Sequence, residues 1–387
     1  MYRIGQEEIE AAARVIHSKQ LFKCNYAGQE NMHCEEEIKE KFSCTHTIIM
    51  TSGKAAIISA LAALGIGPGD EVIVPAYTYI ATAIAVIAVG AIPVVCDIDE
   101  SMTIDPADAE RRISSATKAI IPVHIQGFPC DMDRICALAE KYNLKIVEDA
   151  CQADGGSYHG KRLGTIGAAG ALSFNHFKII TSGEGGALLT DDRALYERAL
   201  IYHDSSAVAY FGNQLDTLNT ETFCGSEYRT NEINAAILRE QLKKLDGILC
   251  DLRKNKKIVM EALAGQYKFA ESYDTEGDCG TTLAFRFDSE EQARRFAESD
   301  GVKGVLPIDT GKHVYIHWTA IVEKRGAINP LMDPFRHPAN SKLNANYSEE
   351  TCAKSLDILA KTVYISVNPD WTDEEISAVI SSCKNAK

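Results

Sequence analysis

Basic residues are in the minority: 40 Lys and Arg stand against 54 Asp and Glu, giving a formal charge of −14 and a pI near 5.2. Such a surface repels polyanions over most of its area, so neither a nucleic-acid partner nor an anionic membrane is expected. Any anion the protein binds must be held by a local site. The 12 cysteines include no Cys-x-x-Cys pair, which leaves no zinc or redox-dithiol signature, and in 387 residues they are too dilute for a disulfide scaffold. They read as reduced thiols of a cytoplasmic protein, mostly small buried hydrophobes. The start MYRIGQEEIEAAARV carries acids where an export signal carries basic residues and an apolar stretch, so no export is expected. Long apolar runs are scarce too. The uncharged run from Tyr79 to Cys96 is rich in Ala and broken by Gly90 and Pro93. It reads as a buried helix (Ile80 to Val89), a glycine stop and a strand ending at Cys96, not as a membrane span.

What is present suits a large folded protein: 42.3 kDa, 45% hydrophobic and 24% charged residues, with length for two or three domains. From His46 onward strand, turn and helix alternate. Thr47 to Met50 is a short strand, Lys54 to Leu64 a helix stopped by Gly65, and Glu71 to Val74 a strand. Further strands read at Ala119 to Val123, Lys145 to Glu148, Ala171 to Phe174 and Ala187 to Thr190, with a helix at Asp131 to Tyr142. This α/β alternation predicts a mostly parallel sheet covered on both faces. A long helix begins near Gln241 to Leu245, after which alternating segments stand at Thr282 to Phe287 and Val363 to Val367. A domain boundary is expected at about residue 248.

Three glycine patterns fail as nucleotide motifs. Ser52-Gly53-Lys54 lacks the glycine and the Ser/Thr of a P-loop, because Ile48 and Ala55 stand there. Gly65 to Gly69 leads into a strand, and Gly164 to Gly170 has the wrong spacing for a dinucleotide fingerprint. The turn between Met50 and the helix from Lys54 nonetheless offers free N–H groups and a positive dipole end to an anion. A second feature, Glu148-Asp149, ends an apolar strand, where a carboxylate is ordinarily a helix cap. A third, Ser173-x-x-x-x-Lys178, follows another strand and runs into the Gly-rich stretch Gly183 to Gly186. Together they supply what pyridoxal phosphate needs: an anion seat, a partner for the pyridinium nitrogen, and an amine for the aldehyde.

The chain resembles the sugar aminotransferases of the DegT/DnrJ/EryC1/StrS family, which have the aspartate-aminotransferase-like architecture of fold-type I. The resemblance covers most of residues 1 to 250. It is carried by Ala63 to Tyr79 with Ala81-Thr82, Gly90 to Val94, Pro122-Val-His124, Glu148 to Ala153, Ser173-Phe174 with Lys178, Gly183 to Gly186, and Tyr228-Arg229 with Ala235-Ala236. It implies a large cofactor-binding domain over 1–248, with an N-terminal helical segment, and a smaller C-terminal α/β domain over 249–387. The implied cofactor is pyridoxal 5'-phosphate, with pyridoxamine 5'-phosphate as its other form. Lys178 would carry the cofactor and shuttle the proton, and Asp149 would hold the ring nitrogen protonated. Tyr79 would stack on the ring, Gln152 would bond its edge, and Ser173 with the amides of Gly53 and Lys54 would seat the phosphate. His176, Tyr77 and His317 are candidate substrate contacts. His313 and His317 have no carboxylate or thiol at ligand spacing, and no metal is expected.

Three positions depart from the family pattern: Lys54 where Thr is usual, Glu227 where an Asn reaches the phosphate from the other subunit, and Asp154 where His is common. A carboxylate aimed at a phosphate is repulsive, so Glu227 is either turned away or neutralised. One arrangement that would do so is an ion pair with Lys54 across a homodimer. The implied reaction moves nitrogen from glutamate or glutamine to a nucleotide-linked keto sugar, a keto-octulosonate or a cyclitol. The alternatives are a related dehydratase, against which Lys178 counts, and a non-catalytic regulator that binds the cofactor on the same fold.

Overall fold

The computed structural model describes residues 3–23, 29–206 and 219–386. Two helices, α1 (Gln6–Ser18) and α2 (Glu30–Phe42), precede β1 (His46–Met50) and α3 (Gly53–Ala63). The chain continues through β2 (Glu71–Pro75), α4 (Ala81–Ala88), β3 (Ile92–Cys96), α5 (Pro106–Arg112), β4 (Thr117–Ile120), α6 (Met132–Tyr142) and β5 (Lys145–Asp149). A small hairpin, β6 (Ser157–Tyr158) with β7 (Lys161–Arg162), leads to β8 (Ala169–Ser173), β9 (Gly186–Thr190) and α7 (Arg193–His203).

Seven of these strands form one sheet in the order β1-β9-β8-β5-β4-β2-β3. From β8 to β3 all neighbours are parallel, while β9 runs against both β8 and β1. The expected mostly parallel sheet is therefore present. Its strands are apolar throughout because both faces are covered. Alternate residues face opposite ways: Ile49, Ile73, Val94, Ile120 and Leu172 pack with α2 and α6. Ile48, Met50, Val72, Val74, Val147 and Leu188 pack with α3, α4 and α7. Each such side chain contributes about 1.5 to 3 kcal/mol on burial.

The uncharged run divides as its composition predicts, into α4, a glycine and β3. Gly90 takes a φ of +89°, a conformation that strains any residue with a Cβ. Among the described residues no helix is long and apolar enough to cross a membrane.

The long helix α8 (Glu232–Leu263) runs for 32 residues, so residue 248 lies inside it and not in a linker. It serves both parts of the chain. Arg239 pairs with Glu30 and Glu37 of α2 at 2.6 Å each, and Asn255 donates to the Asn368 carbonyl at 2.9 Å. Beyond it β10 (Lys268–Phe269), β11 (Thr282–Arg286) and β12 (Thr362–Ser366) form an antiparallel sheet. Its Phe285, Val363 and Ile365 extend the core on the α2 face of the main sheet. The segment containing Val314, Tyr315, Trp318, Ile358 and Leu359 instead joins the core on the α3 face. The C-terminal part thus grips the main sheet from two sides.

Candidate active site

The carboxyl ends of β1, β5 and β8 lie at one edge of the sheet, and parallel α/β sheets hold ligands at that edge. There the chain forms a cleft of about 680 Å³. Ser52, Gly53 and Lys54 line it from the β1–α3 turn, Tyr79 from the approach to α4, and Asp149, Cys151 and Gln152 from the end of β5. Ser173, Asn175, Phe177 and Lys178 line it after β8, and Thr281, Thr282, Lys312, His313 and Ser366 come from the C-terminal part.

At the turn, the Ser52 hydroxyl caps α3 by accepting from the Ala55 N–H at 3.1 Å. The N–H groups of Gly53 and Lys54 have no acceptor among the described residues, so the positive end of α3 faces the cleft with two free donors. A Cβ on Gly53 would stand 2.3 Å from Cys151 Sγ and 2.9 Å from Ser173 Cβ. The glycine is what lets turn, thiol and hydroxyl converge into a phosphate-sized cradle. Burial pushes the Cys151 thiol well above the usual range, which makes it a packing group.

Asp149 is fixed by two donors. Thr82 Oγ1 donates to Oδ2 at 2.7 Å and the Cys151 N–H to Oδ1 at 3.2 Å. The carboxylate is thus oriented before any ligand arrives. Its neighbour Glu148, one residue earlier on the strand, faces the other way and is fully buried. It accepts from the N–H groups of Gly164, Ile166 and Gly167 at 2.8, 2.6 and 2.7 Å and pairs with His124 Nε2 at 3.1 Å. His124 Nδ1 accepts from the Cys130 N–H at 3.1 Å, so its Nε2 carries the ring proton and donates to Glu148. Glu148→Gln is expected to cost about 3 kcal/mol or more, as breaking a buried pair does, read from the denaturant midpoint at pH 6.

Gln152 is oriented through an unusual neighbour. Its Oε1 accepts from the Gln126 N–H at 3.1 Å, which turns its own amide N–H₂ away from that contact. Gln126 sits at a φ of +52°. Its carbonyl and side-chain oxygens accept from Thr281 at 2.5 Å and Thr282 at 3.1 Å, tying this turn to β11.

Of the residues singled out in the sequence, Gly53, Lys54, Tyr79, Asp149, Gln152, Ser173 and Lys178 meet in this cleft. Five others do not line it within the one chain. Tyr77 is buried in the core, its ring 6.3 Å from that of Tyr364, because its chain segment pairs with Val314. His176 and His317 are exposed to either side. Glu227 is exposed and pairs with Arg229 of its own chain at 2.9 Å, which gives its charge a partner without Lys54. Asp154 is fully buried with neither oxygen hydrogen-bonded, and burial holds its carboxyl well above the usual range.

Sequence reasoning missed Thr82, Gln126, Thr281, Thr282, Lys312 and Ser366. Thr82 stood inside a quoted motif, three residues beyond Tyr79. The others are brought in by long-range packing and carry no local signal.

Residues 2–299 match the DegT/DnrJ/EryC1/StrS aminotransferase family. The chain is 30% identical to the spore coat polysaccharide biosynthesis protein SpsC of Bacillus subtilis, over 99% of this chain and 95% of that one. It is 38% identical to the L-glutamine:2-deoxy-scyllo-inosose aminotransferase of Micromonospora echinospora, an alignment spanning 62% of this chain and 59% of that protein. Among solved structures, the aminotransferase from Psychrobacter cryohalolentis superposes with a TM-score of 0.79 at 29% identity, covering 98% and 96% of the two chains. NtdA of Bacillus subtilis, solved with pyridoxamine phosphate bound, gives 0.75 at 25% identity over 99% and 82%. With the fold of the fold-type I aminotransferases and a match over residues 2–299, the chain belongs to the DegT/DnrJ/EryC1/StrS aminotransferase family of pyridoxal-phosphate-dependent sugar aminotransferases.

Proposed function

We propose that the chain moves an amino group from glutamine or glutamate to a keto group of a cyclitol or sugar-like acceptor, with pyridoxal phosphate held in this cleft. The observation that carries the reading is convergence. Asp149 at the end of β5, Ser173 and Lys178 at and after the end of β8, and the α3 turn after β1 line one cavity of about 680 Å³. The residues fit the cofactor: Gly53 lets the turn close against Cys151 and Ser173, and its N–H, the Lys54 N–H and the Ser173 hydroxyl would hold a phosphate. When bound, the cofactor supplies an aldehyde that exchanges amines and a ring that takes up the electron pair released at the substrate carbon.

Lys178 Nζ would carry the proton removed from the donor carbon and return it to the acceptor. Asp149 would keep the ring nitrogen protonated, its carboxylate held in place by Thr82 and Cys151. Gln152, held by Gln126, would turn its amide N–H₂ to the ring edge, and Tyr79 would cover the ring face and exclude water. Because one cofactor serves both half-reactions, donor and acceptor would occupy the same end of the cleft in turn. Lys178 also counts against the dehydratase alternative.

The glutamine donor and cyclitol acceptor are supported by the similarity to the L-glutamine:2-deoxy-scyllo-inosose aminotransferase, on an alignment that covers 62% of this chain. Loaded enzyme, L-glutamine and candidate keto acceptors, followed by mass spectrometry of the aminated product, test this choice. Product from a cyclitol or keto-sugar acceptor upholds it, and product only from an unrelated keto acid overturns it.

A homodimer with shared sites is part of the proposal, in a reducing, cytoplasmic setting. Cys34, Cys96 and Cys130, packed in the core as small hydrophobes, support the latter. Sedimentation at nanomolar concentration checks the assembly: a dimer is expected, and a fully active monomer would contradict it.

A further inference from the structure

The cleft holds three lysines, and the proposed function uses two of them. Lys54 belongs to the phosphate turn and Lys178 to the chemistry. Lys312 is left, at the end of the cleft built by the C-terminal part, and no arginine lines the cleft among the described residues. Its backbone is firmly set. The Lys312 carbonyl accepts from the Ile80 N–H at 2.9 Å and from the indole N–H of the fully buried Trp318 at 3.1 Å. The His313 carbonyl accepts from the Thr78 N–H at 2.9 Å, and the Tyr315 N–H donates to Ala76 at 3.0 Å. Residues 312–315 therefore lie as an extra edge along the chain leading to Tyr79.

The Lys312 ammonium stands 5.3 Å from the Tyr79 ring centroid and makes no salt bridge among the described residues. Such a contact orients the cation over the ring without neutralising it. Beside it the His313 ring lies 5.5 Å from the same tyrosine, with its Nδ1 buried and unpartnered. Burial, with the Lys312 charge next, lowers its pKa to about 4, so the imidazole is neutral and has a hydrogen bond to give or accept. An exposed cation and a neutral imidazole beside one aromatic ring offer a receptor for an anionic oxygen group.

We propose that Lys312 and His313 form the substrate anion subsite of this cleft, taking the carboxylate of the amino-acid donor or the phosphate of a nucleotide-linked acceptor. The inference rests on the aminotransferase reading for its substrates, though not for its geometry. An amino-acid donor brings a carboxylate into a cleft already carrying the charges of Asp149 and Glu184, and Lys312 is the cation placed to offset it.

The test uses the loaded enzyme and three probes. Conversion of the bound cofactor by L-glutamine is followed by absorbance against donor concentration, and succinate and inorganic pyrophosphate, which cannot react, are titrated by calorimetry. Lys312→Ala is expected to weaken at least one class of probe ten-fold or more, with the limiting conversion rate within three-fold of the parent. Lys312→Arg should restore binding to within three-fold, which a merely structural role would not produce. Weakening of glutamine and succinate assigns the donor carboxylate, and weakening of pyrophosphate assigns the acceptor phosphate. Unchanged binding of all three overturns the subsite. If the parent enzyme converts no donor, the aminotransferase reading fails, while the two titrations still decide the role of Lys312.

Discussion

Lys178→Ala is expected to fold normally, to bind pyridoxal phosphate without a covalent link, and to lose amino transfer by about four orders of magnitude. The loop that carries this lysine is held by other atoms: the Phe174 N–H donates to Gly185 at 2.9 Å, the Ser182 N–H to Phe174 at 3.0 Å, and the Lys178 N–H to Asn175 at 3.0 Å. Removing the side chain therefore leaves the cleft walls in place and deletes the amine alone. No other amine stands in the same position, since Lys54 lies at the phosphate turn and Lys312 comes from the C-terminal part. Reduction with borohydride followed by mass spectrometry checks the link, and single-turnover kinetics check the rate. A variant that keeps parental turnover would show that the proton moves through another group.

The second large effect is expected at Asp149. Asp149→Asn keeps the shape and the Cys151 N–H contact, with the Thr82 hydroxyl turning from donor to acceptor, but removes the charge that favours a protonated ring nitrogen. Transfer should fall about 10²- to 10³-fold, the usual consequence of deleting one preorganised electrostatic contact, while the covalent link to Lys178 survives. That split distinguishes the two residues, because one variant loses the link and the other loses only the rate. A rate unchanged in Asp149→Asn would place the partner of the nitrogen elsewhere.

Much of the fold was legible because the information is local. Strands such as Lys145–Asp149 and Gly186–Thr190 are short apolar runs bounded by turn residues, and the helix Met132–Tyr142 begins where Asp131 caps it by accepting from Arg134. Half of the site was legible for the same reason, since Gly53, Asp149 and Ser173 sit at or just past strand ends and Lys178 stands in the loop that follows β8. What stayed hidden depends on distance along the chain. The helix legible near Gln241 to Leu245 begins at Glu232 and runs on through residue 248, because one continuous element serves α2 on one side and β11 on the other. Lys312 and His313 reach the cleft only because Tyr315 and Trp318 anchor their segment to the main core. Tyr77 and Tyr79 look equivalent in the sequence. The pairing of Tyr77 with Val314 buries the first in the core, and Tyr79 remains 41% exposed at the cleft.

Buried charge tells the same story at shorter range. Glu148 and Asp149 are adjacent acids on one strand, and the pleat alone sends them to opposite faces. One becomes the anchor of the Gly164 to Gly167 turn and the other a wall of the cleft.

The central claim is that this cleft transfers amino groups, and the most direct measurement is the donor half-reaction. Purified protein reconstituted with pyridoxal phosphate is mixed with L-glutamine or L-glutamate, and the cofactor absorbance is followed to completion. The account predicts conversion to the pyridoxamine form in a stoichiometry of one per chain, reversed by adding a keto acid and absent in Lys178→Ala. Tight cofactor binding with no conversion by either donor would contradict it and leave a protein that binds the cofactor without using it.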